Sequence, residues 1–121
     1  MLNSKDIKNL QDSCMKCFAS VNPQLEIIVE NRPIYLNHYP FLCYGGVYRT
    51  GKSQVWELFG HVHTCKQNNS GKDFDRLKFL FPTQYDVGVD FNDYTPISFS
   101  EVSEKITKQV ENNQNILSQL C

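Results

Sequence analysis

Two short runs of β-forming residues with a tight turn between them place the first constraint on how this chain can fold. The runs are Leu25 to Glu30 and Ile34 to Tyr39, and Asn31-Arg32-Pro33 separates them. Runs of this kind, bounded by turn-forming residues, are typical of paired strands. We therefore predict a β-hairpin in the first third of the chain.

Two amphipathic helices are predicted, one near each end of the sequence. The first covers residues 4 to about 21, where Ser4 can cap the helix and Asn22-Pro23 ends it. The second opens at Ser98-Phe99-Ser100-Glu101, which has the spacing of a capping box. Its apolar residues recur along one face towards the end of the chain: Val102, Ile106, Val110, Leu117 and Leu120.

Two further strands are predicted in the middle of the chain. Val55 to Phe59 is a short apolar run, and we interpret it as a buried strand that delivers Gly60-His61-Val62-His63 at its carboxyl end. Tyr85 to Asp90 alternates between apolar and polar residues, as a half-buried strand does. The glycine-containing residues 43–54 and the polar residues 66–76 are expected to form loops.

The totals fit one domain, or part of one, of the α/β (α+β) class. The chain has 121 residues, of which 40% are hydrophobic and 21% are charged. We divide it into a helical lead-in (1–23), a segment of strands and site-bearing loops (24–97) and a C-terminal helix (98–121).

Charge and hydropathy exclude several classes of partner. A net charge of -1 gives no general attraction to nucleic acid or to an acidic membrane. No apolar stretch approaches the roughly 20 residues of a membrane span, and the amino terminus lacks a signal pattern. Five cysteines at irregular spacing do not form a secreted disulfide framework. We therefore expect a cytoplasmic protein with reduced thiols.

The three histidines are the residues with the clearest chemical potential. His61 and His63 are two positions apart, so in an extended segment they share one face, roughly 6.5–7 Å apart. His38 lies at the end of a predicted strand, where binding residues are often found. Imidazoles so placed can serve two metal ions separated by about 3.5–4 Å.

Three segments in the same order resemble the calcineurin-like metallophosphoesterase family. Asn37-His38-Tyr39-Pro40-Phe41 is similar to its S/N-H-Y/F-P segment, and Gly60-His61-Val62-His63 is similar to its G-H-x-H segment. The stretch from Tyr85 to Ser98 resembles the tail N/D-V-G-V-D-x-N-x-Y-x-P-[IV]-S found in bacterial and phage members. The resemblance covers about residues 25 to 103.

The resemblance implies a fold, a metal site and a substrate class. The fold would be the C-terminal half of an αββα sandwich with a mixed sheet, and the substrate a phosphate ester. His38 and His61 would bind one divalent metal and His63 the other, in a two-metal site for hydrolysis. Imidazole suits Mn, Fe, Zn or Ni, and the sequence does not select among them.

The early motifs of the family, D-x-H, G-D-x-x-D and G-N-H-[DE], do not occur in this sequence. Because they supply the bridging aspartate, an asparagine ligand and the histidine that protonates the leaving group, we expect little or no activity from the chain alone. Position 1 falls just after the place where G-N-H-[DE] would end. We therefore expect a truncated gene, a split gene or an expressed fragment, with either a partner chain that carries the N-terminal half or self-association.

Three residues near the histidine segments are candidates for substrate binding. Asn37 precedes His38, and Arg49 and Lys52 lie between the metal segments, where a cation can meet a phosphate. A solvated loop is the simpler interpretation of Arg49 and Lys52. The stretch from Gly46 to Ser53 also has the P-loop spacing G-x-x-x-x-G-K-S, but we expect neither the preceding buried strand nor the following helix that a P-loop requires.

Two alternatives stay open at this point. The chain can be a catalytically inactive remnant or a binding module of the same fold. More weakly, Cys14-Met15-Lys16-Cys17 together with Cys65 can form a structural zinc site, although Cys14 falls on the apolar face of the predicted helix, where burial is the simpler interpretation.

Overall fold

A sheet of four strands, arranged in the order of the sequence, forms the centre of the fold. The structure, a computed structural model, describes residues 4–5, 20–62, 64 and 75–120. The strands are β1 (Gln24–Val29), β2 (Arg32–Asn37), β3 (Trp56–Phe59) and β4 (Gln84–Asp86). β1 is antiparallel to β2, whereas β2, β3 and β4 run parallel to one another. The predicted mixed sheet of an α+β domain is confirmed.

The predicted hairpin is present, but its turn lies earlier than the sequence suggests. Glu30 and Asn31 form the turn with φ of 50° and 68°, and Val29 pairs with Arg32 directly across it. A two-residue turn between twisted strands requires positive φ at both positions, which asparagine tolerates. Proline has φ fixed near -65°, so Pro33 is excluded from such a turn and lies within β2.

The predicted strand at residues 85–90 was too long. β4 ends at Asp86, and the chain then turns into a single 3-10 turn at Val89–Phe91. Asn92 stabilises this turn, because its side-chain amide donates to the carbonyl oxygens of Asp86 at 3.0 Å and Gly88 at 2.8 Å. Side-chain hydrogen bonds of this kind compete with continued strand pairing.

The C-terminal helix, α1, covers Phe99–Glu111 rather than the predicted 98–121. Ser98 caps it as expected, since its Oγ accepts a hydrogen bond from the backbone N–H of Glu101 at 3.2 Å. The helix ends where Asn113 adopts a φ of 49°, a left-handed conformation that commonly terminates helices. The chain continues as a short 3-10 helix at Ile116–Gln119. The spacing of apolar residues in the sequence did not distinguish this segment from a continuation of the α-helix.

The main core lies between the sheet, α1 and the C-terminal 3-10 helix. Its buried residues are Ile34, Trp56, Phe59, Val62, Leu77, Tyr85, Val102, Ile106 and Ile116. A smaller cluster, formed by Tyr44, Val47 and Val55, involves the loop between β2 and β3. That loop was predicted correctly over residues 43–54, and it contributes core residues of its own.

Several predictions concern parts of the chain that the structure does not describe. Residues 6–19 of the predicted N-terminal helix, His63 and residues 66–74 of the predicted loop lie outside the described residues, as do Cys14, Cys17, Cys65 and Cys121. Cys43, the one cysteine within them, is exposed and its thiol is free. The described helices include none with the length and apolar character needed to cross a membrane.

Candidate metal centre

Three parallel strands end at the same edge of the sheet and bring their following residues together. β2 leads into His38, β3 into Gly60 and His61, and β4 ends at Asp86. The backbone N–H of Gly60 donates to the carbonyl oxygen of His38 at 3.0 Å. The carboxyl edge of a parallel sheet is where ligand sites form in open α/β folds. This edge is therefore the candidate site.

The side chains of His38 and His61 meet at this edge. Nε2 of His38 lies 3.3 Å from Nδ1 of His61, and the ring centroids are 5.1 Å apart. Two nitrogens bound at about 2.0–2.1 Å to one tetrahedral metal are separated by about 3.3 Å. The observed spacing therefore fits two ligands of a single ion. It also fits a direct hydrogen bond between one protonated and one unprotonated ring nitrogen.

Tyr39 packs against both imidazoles. Its ring centroid lies 4.9 Å from that of His38 and 4.6 Å from that of His61, and the side chain is 56% exposed. Asn37 fixes the local turn, because its Oδ1 accepts from the backbone N–H of Tyr39 at 2.8 Å and its Nδ2 donates to Gln24 at 3.0 Å. The predicted substrate-binding residue Asn37 thus has both polar atoms engaged in organising the strand end.

The backbone at His61 is strained. His61 has a φ of 61°, and the N–H of Val62 donates to the carbonyl oxygen of Gly60 at 2.6 Å. This is a γ-turn centred on a residue with a Cβ atom, which is a rare and costly conformation. Strain of this kind is concentrated at functional sites, where the surrounding structure maintains it. Here it turns the imidazole of His61 towards His38.

Asp86, a buried carboxylate at the end of β4, stabilises the structure of this edge. Its Oδ2 accepts from the N–H and hydroxyl of Thr64, at 3.1 and 2.7 Å, and its Oδ1 accepts from the N–H of Gly88 at 2.8 Å. Both Asp86 and Thr64 are almost completely buried. Gly88 is required here, because a Cβ atom would lie 2.9 Å from the Oδ1 atoms of Asp86 and Asp90.

The described residues supply two candidate metal ligands at this edge, His38 and His61. They contain no group of three or more histidine, cysteine, aspartate or glutamate side chains that could hold a metal ion. The donor pair fits one ion of the Mn, Fe, Zn or Ni type, because neutral imidazole nitrogen is a suitable ligand for each. The rest of a coordination sphere would have to come from water or from residues outside the described ones.

An open cleft of about 610 Å³ borders His38. It is lined by residues of all three strand ends, among them Leu36, His38, Phe59, Gly60 and Gly88. The volume lies within the range of sites for small ligands. His38, one of the two candidate metal ligands, therefore lines a space that a substrate could occupy.

Arg49 and Lys52 lie at the opposite edge of the sheet. Arg32, the first residue of β2, donates to the carbonyl oxygen of Gly51 at 2.9 Å, so this segment is joined to the amino end of the strand. Six residues of extended chain separate Arg32 from His38, about 20 Å. The structure therefore does not bring Arg49 and Lys52 to the histidines.

The P-loop spacing between Gly46 and Ser53 does not produce a P-loop. The segment ends in one turn of 3-10 helix, Gly51–Ser53, and then enters β3. A phosphate-binding loop of that type opens an α-helix whose free N–H groups hold the phosphates. The expectation that this motif is accidental agrees with its conformation.

Glu57 and Gln84 were missed by the sequence analysis, which treated Val55 to Phe59 as uniformly apolar. They are paired on neighbouring strands and are completely buried. Burial raises the pKa of the Glu57 carboxyl from 4.5 to about 7, although hydrogen bonds from Gln84 and from the backbone of Phe41 act to lower it. The single acidic residue within the apolar run from Val55 to Phe59 was the sequence signal that could have identified this buried pair.

Comparisons with known proteins gave no guidance on the site. No family model matches the chain, and no similar protein was found among curated proteins or solved structures. The chemistry of the candidate centre must therefore be inferred from its own residues.

Replacing His61 by glycine and by alanine should reveal the backbone strain. Both variants lose the imidazole, but only glycine adopts positive φ without cost. The glycine variant should be more stable than the alanine variant by about 1–2 kcal/mol. Urea unfolding measures the difference. Equal stability, or a more stable alanine variant, would contradict the strained γ-turn.

The stability of the protein should decrease as pH rises through the range set by Glu57. Unfolded Glu57 ionises near pH 4.5 and the folded form near pH 7, so the folded state binds the extra proton between these values. The associated stabilisation is complete below pH 4.5 and is lost by about pH 7, a change of about 3 kcal/mol.

Glu57→Gln should remove this pH dependence, and Glu26→Gln, on the exposed face of β1, should leave it unchanged. Chemical unfolding at a series of pH values provides the measurement. A Glu57→Gln profile parallel to that of the wild type would show that Glu57 is not the titrating group.

Proposed function

We propose that this chain contributes the histidine half of a metal-dependent phosphoesterase of the calcineurin-like type. The observation that carries the proposal is the 3.3 Å separation between Nε2 of His38 and Nδ1 of His61, which are 23 positions apart in sequence. This spacing equals the separation expected for two imidazole nitrogens bound to one tetrahedral ion.

Three independent features support metal binding over an ordinary pair of surface histidines. The pair lies at the carboxyl edge of the parallel strands, beside a cleft of about 610 Å³. His61 is held in a strained backbone conformation, and such strain is concentrated at functional sites rather than at ordinary surface positions. The G-H-x-H and N-H-Y-P segments that resemble the metallophosphoesterase family contain these same two residues.

The proposed substrate is a phosphate ester bound in the cleft. Two divalent metals, when bound, would polarise the phosphoryl group and supply a hydroxide for in-line attack. His38 and His61 would hold one ion. His63, which lies outside the described residues, is proposed as a ligand of the other. Arg49 and Lys52 are not part of this proposal, because they lie at the far edge of the sheet.

The remaining ligands are proposed to come from outside the described residues, through a partner chain or self-association. In the described part of the chain, no carboxylate joins the two histidines in a group of three. Large apolar side chains are available for a partner to cover: Leu42 is 87% exposed, Phe79 is 76% exposed and Ile28, on the edge strand β1, is 74% exposed. The edge of β1 offers a further place for association.

A metal-binding module without catalysis is the second candidate. The lack of a carboxylate next to the histidine pair in the described residues favours it, because a two-metal hydrolase needs a bridging oxygen ligand. In this case the chain would bind an ion but gain no activity from any partner. Activity in the presence of the complementary half distinguishes the two candidates.

Metal binding should be weak and should depend on both described histidines. Co²⁺ titration, followed by absorption and by calorimetry, should give a dissociation constant in the micromolar range or above. His38→Ala and His61→Ala should each weaken binding by roughly tenfold or more. Lys52→Ala, at the opposite edge, is the matched control and should not change it. Tight binding of two ions by the chain alone would contradict the proposal.

Hydrolysis of p-nitrophenyl phosphate should require a second polypeptide. With Mn²⁺ the chain alone should show no turnover above the metal-only background. Addition of a polypeptide that carries the D-x-H, G-D-x-x-D and G-N-H-[DE] motifs should restore turnover, and His61→Ala should abolish the restored activity. Equal turnover in the His61→Ala mixture would show that the histidine pair takes no part.

A further inference from the structure

The peptide groups of Phe41 are bound by two buried side chains from neighbouring strands. Its N–H donates to Oε1 of Glu57 at 3.0 Å, and its carbonyl oxygen accepts from Nε2 of Gln84 at 2.8 Å. The same Nε2 also donates to Oε1 of Glu57 at 2.9 Å. Glu57 and Gln84 are register partners on β3 and β4. The two side chains thus hold both polar backbone groups of one residue.

Phe41 lies three residues after His38, so this contact fixes one end of the His38 segment. The other end is fixed where Asn37 accepts from the N–H of Tyr39 and where Gly60 donates to the carbonyl oxygen of His38. Pro40, between the two anchors, restricts the backbone further. The segment from His38 to Phe41 therefore has little freedom while both anchors persist.

Burying a glutamate at position 57 is energetically unfavourable. It is 0% exposed, and within the described residues its Oε2 has no hydrogen-bond partner. A buried polar atom that lacks a partner costs about 1–3 kcal/mol. An apolar residue would avoid this cost, but it would leave the N–H of Phe41 without an acceptor. The cost is consistent with a role in holding Phe41.

We infer that Glu57 and Gln84 form a buried clamp, the Phe41 clamp, that keeps the His38 segment closed against the sheet and so positions the His38 imidazole for metal binding. They are positioning residues, because neither contacts the histidines. The inference rests on the proposed metal-binding function and adds a means by which that site is regulated.

The clamp is sensitive to pH because Glu57 is protonated more readily when the segment is closed. Burial raises its pKa to about 7, whereas opening the segment would admit water and return it towards 4.5. The titratable groups that face it are Tyr35, its register partner on β2, and Tyr44, whose pKa is raised by burial and by the Glu57 charge. Cys43 precedes Tyr44, and Asp86 lies two residues beyond Gln84. None of these groups is a cation that would stabilise the carboxylate, and burial disfavours its negative charge, so rising pH favours the open segment.

Hydrogen exchange of the Phe41 amide tests the clamp directly. In the wild-type protein, its protection, corrected for intrinsic exchange, should fall by roughly fivefold or more for each pH unit between pH 5 and 7. Glu57→Gln retains the acceptor oxygen but cannot ionise, so its Phe41 protection should be independent of pH. The Ile106 amide, in the buried face of α1, reports global unfolding and should be more protected than Phe41.

Metal affinity tests whether the clamp positions His38. Glu57→Leu removes the acceptor, and at pH 7 it should weaken Co²⁺ binding at least tenfold while far-UV circular dichroism remains that of the folded protein. Glu57→Gln should bind Co²⁺ within about twofold of the wild type, because it can still accept from Phe41. A folded Glu57→Leu variant with wild-type affinity would overturn the positioning role.

The two measurements separate failure of the clamp from failure of the proposed function. Absence of Co²⁺ binding to the wild-type protein would reject the metal site. Protection of Phe41 that does not change with pH in the wild type would reject the clamp, whether or not metal binds. Because exchange is measured on the wild-type chain, this result does not depend on the folding of Glu57→Leu.

Discussion

Parallel pairing of β2 with β3 is the constraint on which the rest of this structure depends. It places the carboxyl ends of both strands at one edge, so that His38 and His61 meet with nitrogens 3.3 Å apart. An antiparallel pairing would have sent the residues that follow the two strands to opposite edges. The same pairing moves the loop with Arg49 and Lys52 to the amino edge, about 20 Å away. One choice of strand direction thus decides which candidate residues can act together.

Polar groups buried beside this edge maintain its shape. Asp86 binds the backbone on both sides of the strand ends, and Glu57 with Gln84 binds the backbone of Phe41. These contacts resemble in their effect the outer ligands that orient metal-binding histidines in proteins, although they act here through the backbone. Burial raises the pKa of Glu57, whose Oε2 has no hydrogen-bond partner among the described residues. The hydrogen bonds of these groups to the backbone hold the edge in one conformation.

Much of the local structure was predictable because it depends on local chemistry. The hairpin, the strand before Gly60 and the Ser98 cap follow from residue pattern and from the preferences of proline, glycine and serine. Element ends were less predictable. β4 stops at Asp86 because Asn92, six residues later, binds its carbonyl oxygen, and α1 stops because Asn113 adopts a left-handed conformation. Periodicity does not contain the information that these side-chain contacts supply.

The sequence by itself determined the types of element and the identity of the histidines as candidate ligands. These follow from residue type and spacing, which act over a few positions. Only the tertiary structure decided that His38 and His61 converge, that Arg49 and Lys52 lie elsewhere, and that Glu57 is buried with an unpartnered oxygen among the described residues. The reason is physical: convergence and burial are set by strand direction and register between segments more than 20 positions apart, and no local pattern specifies them.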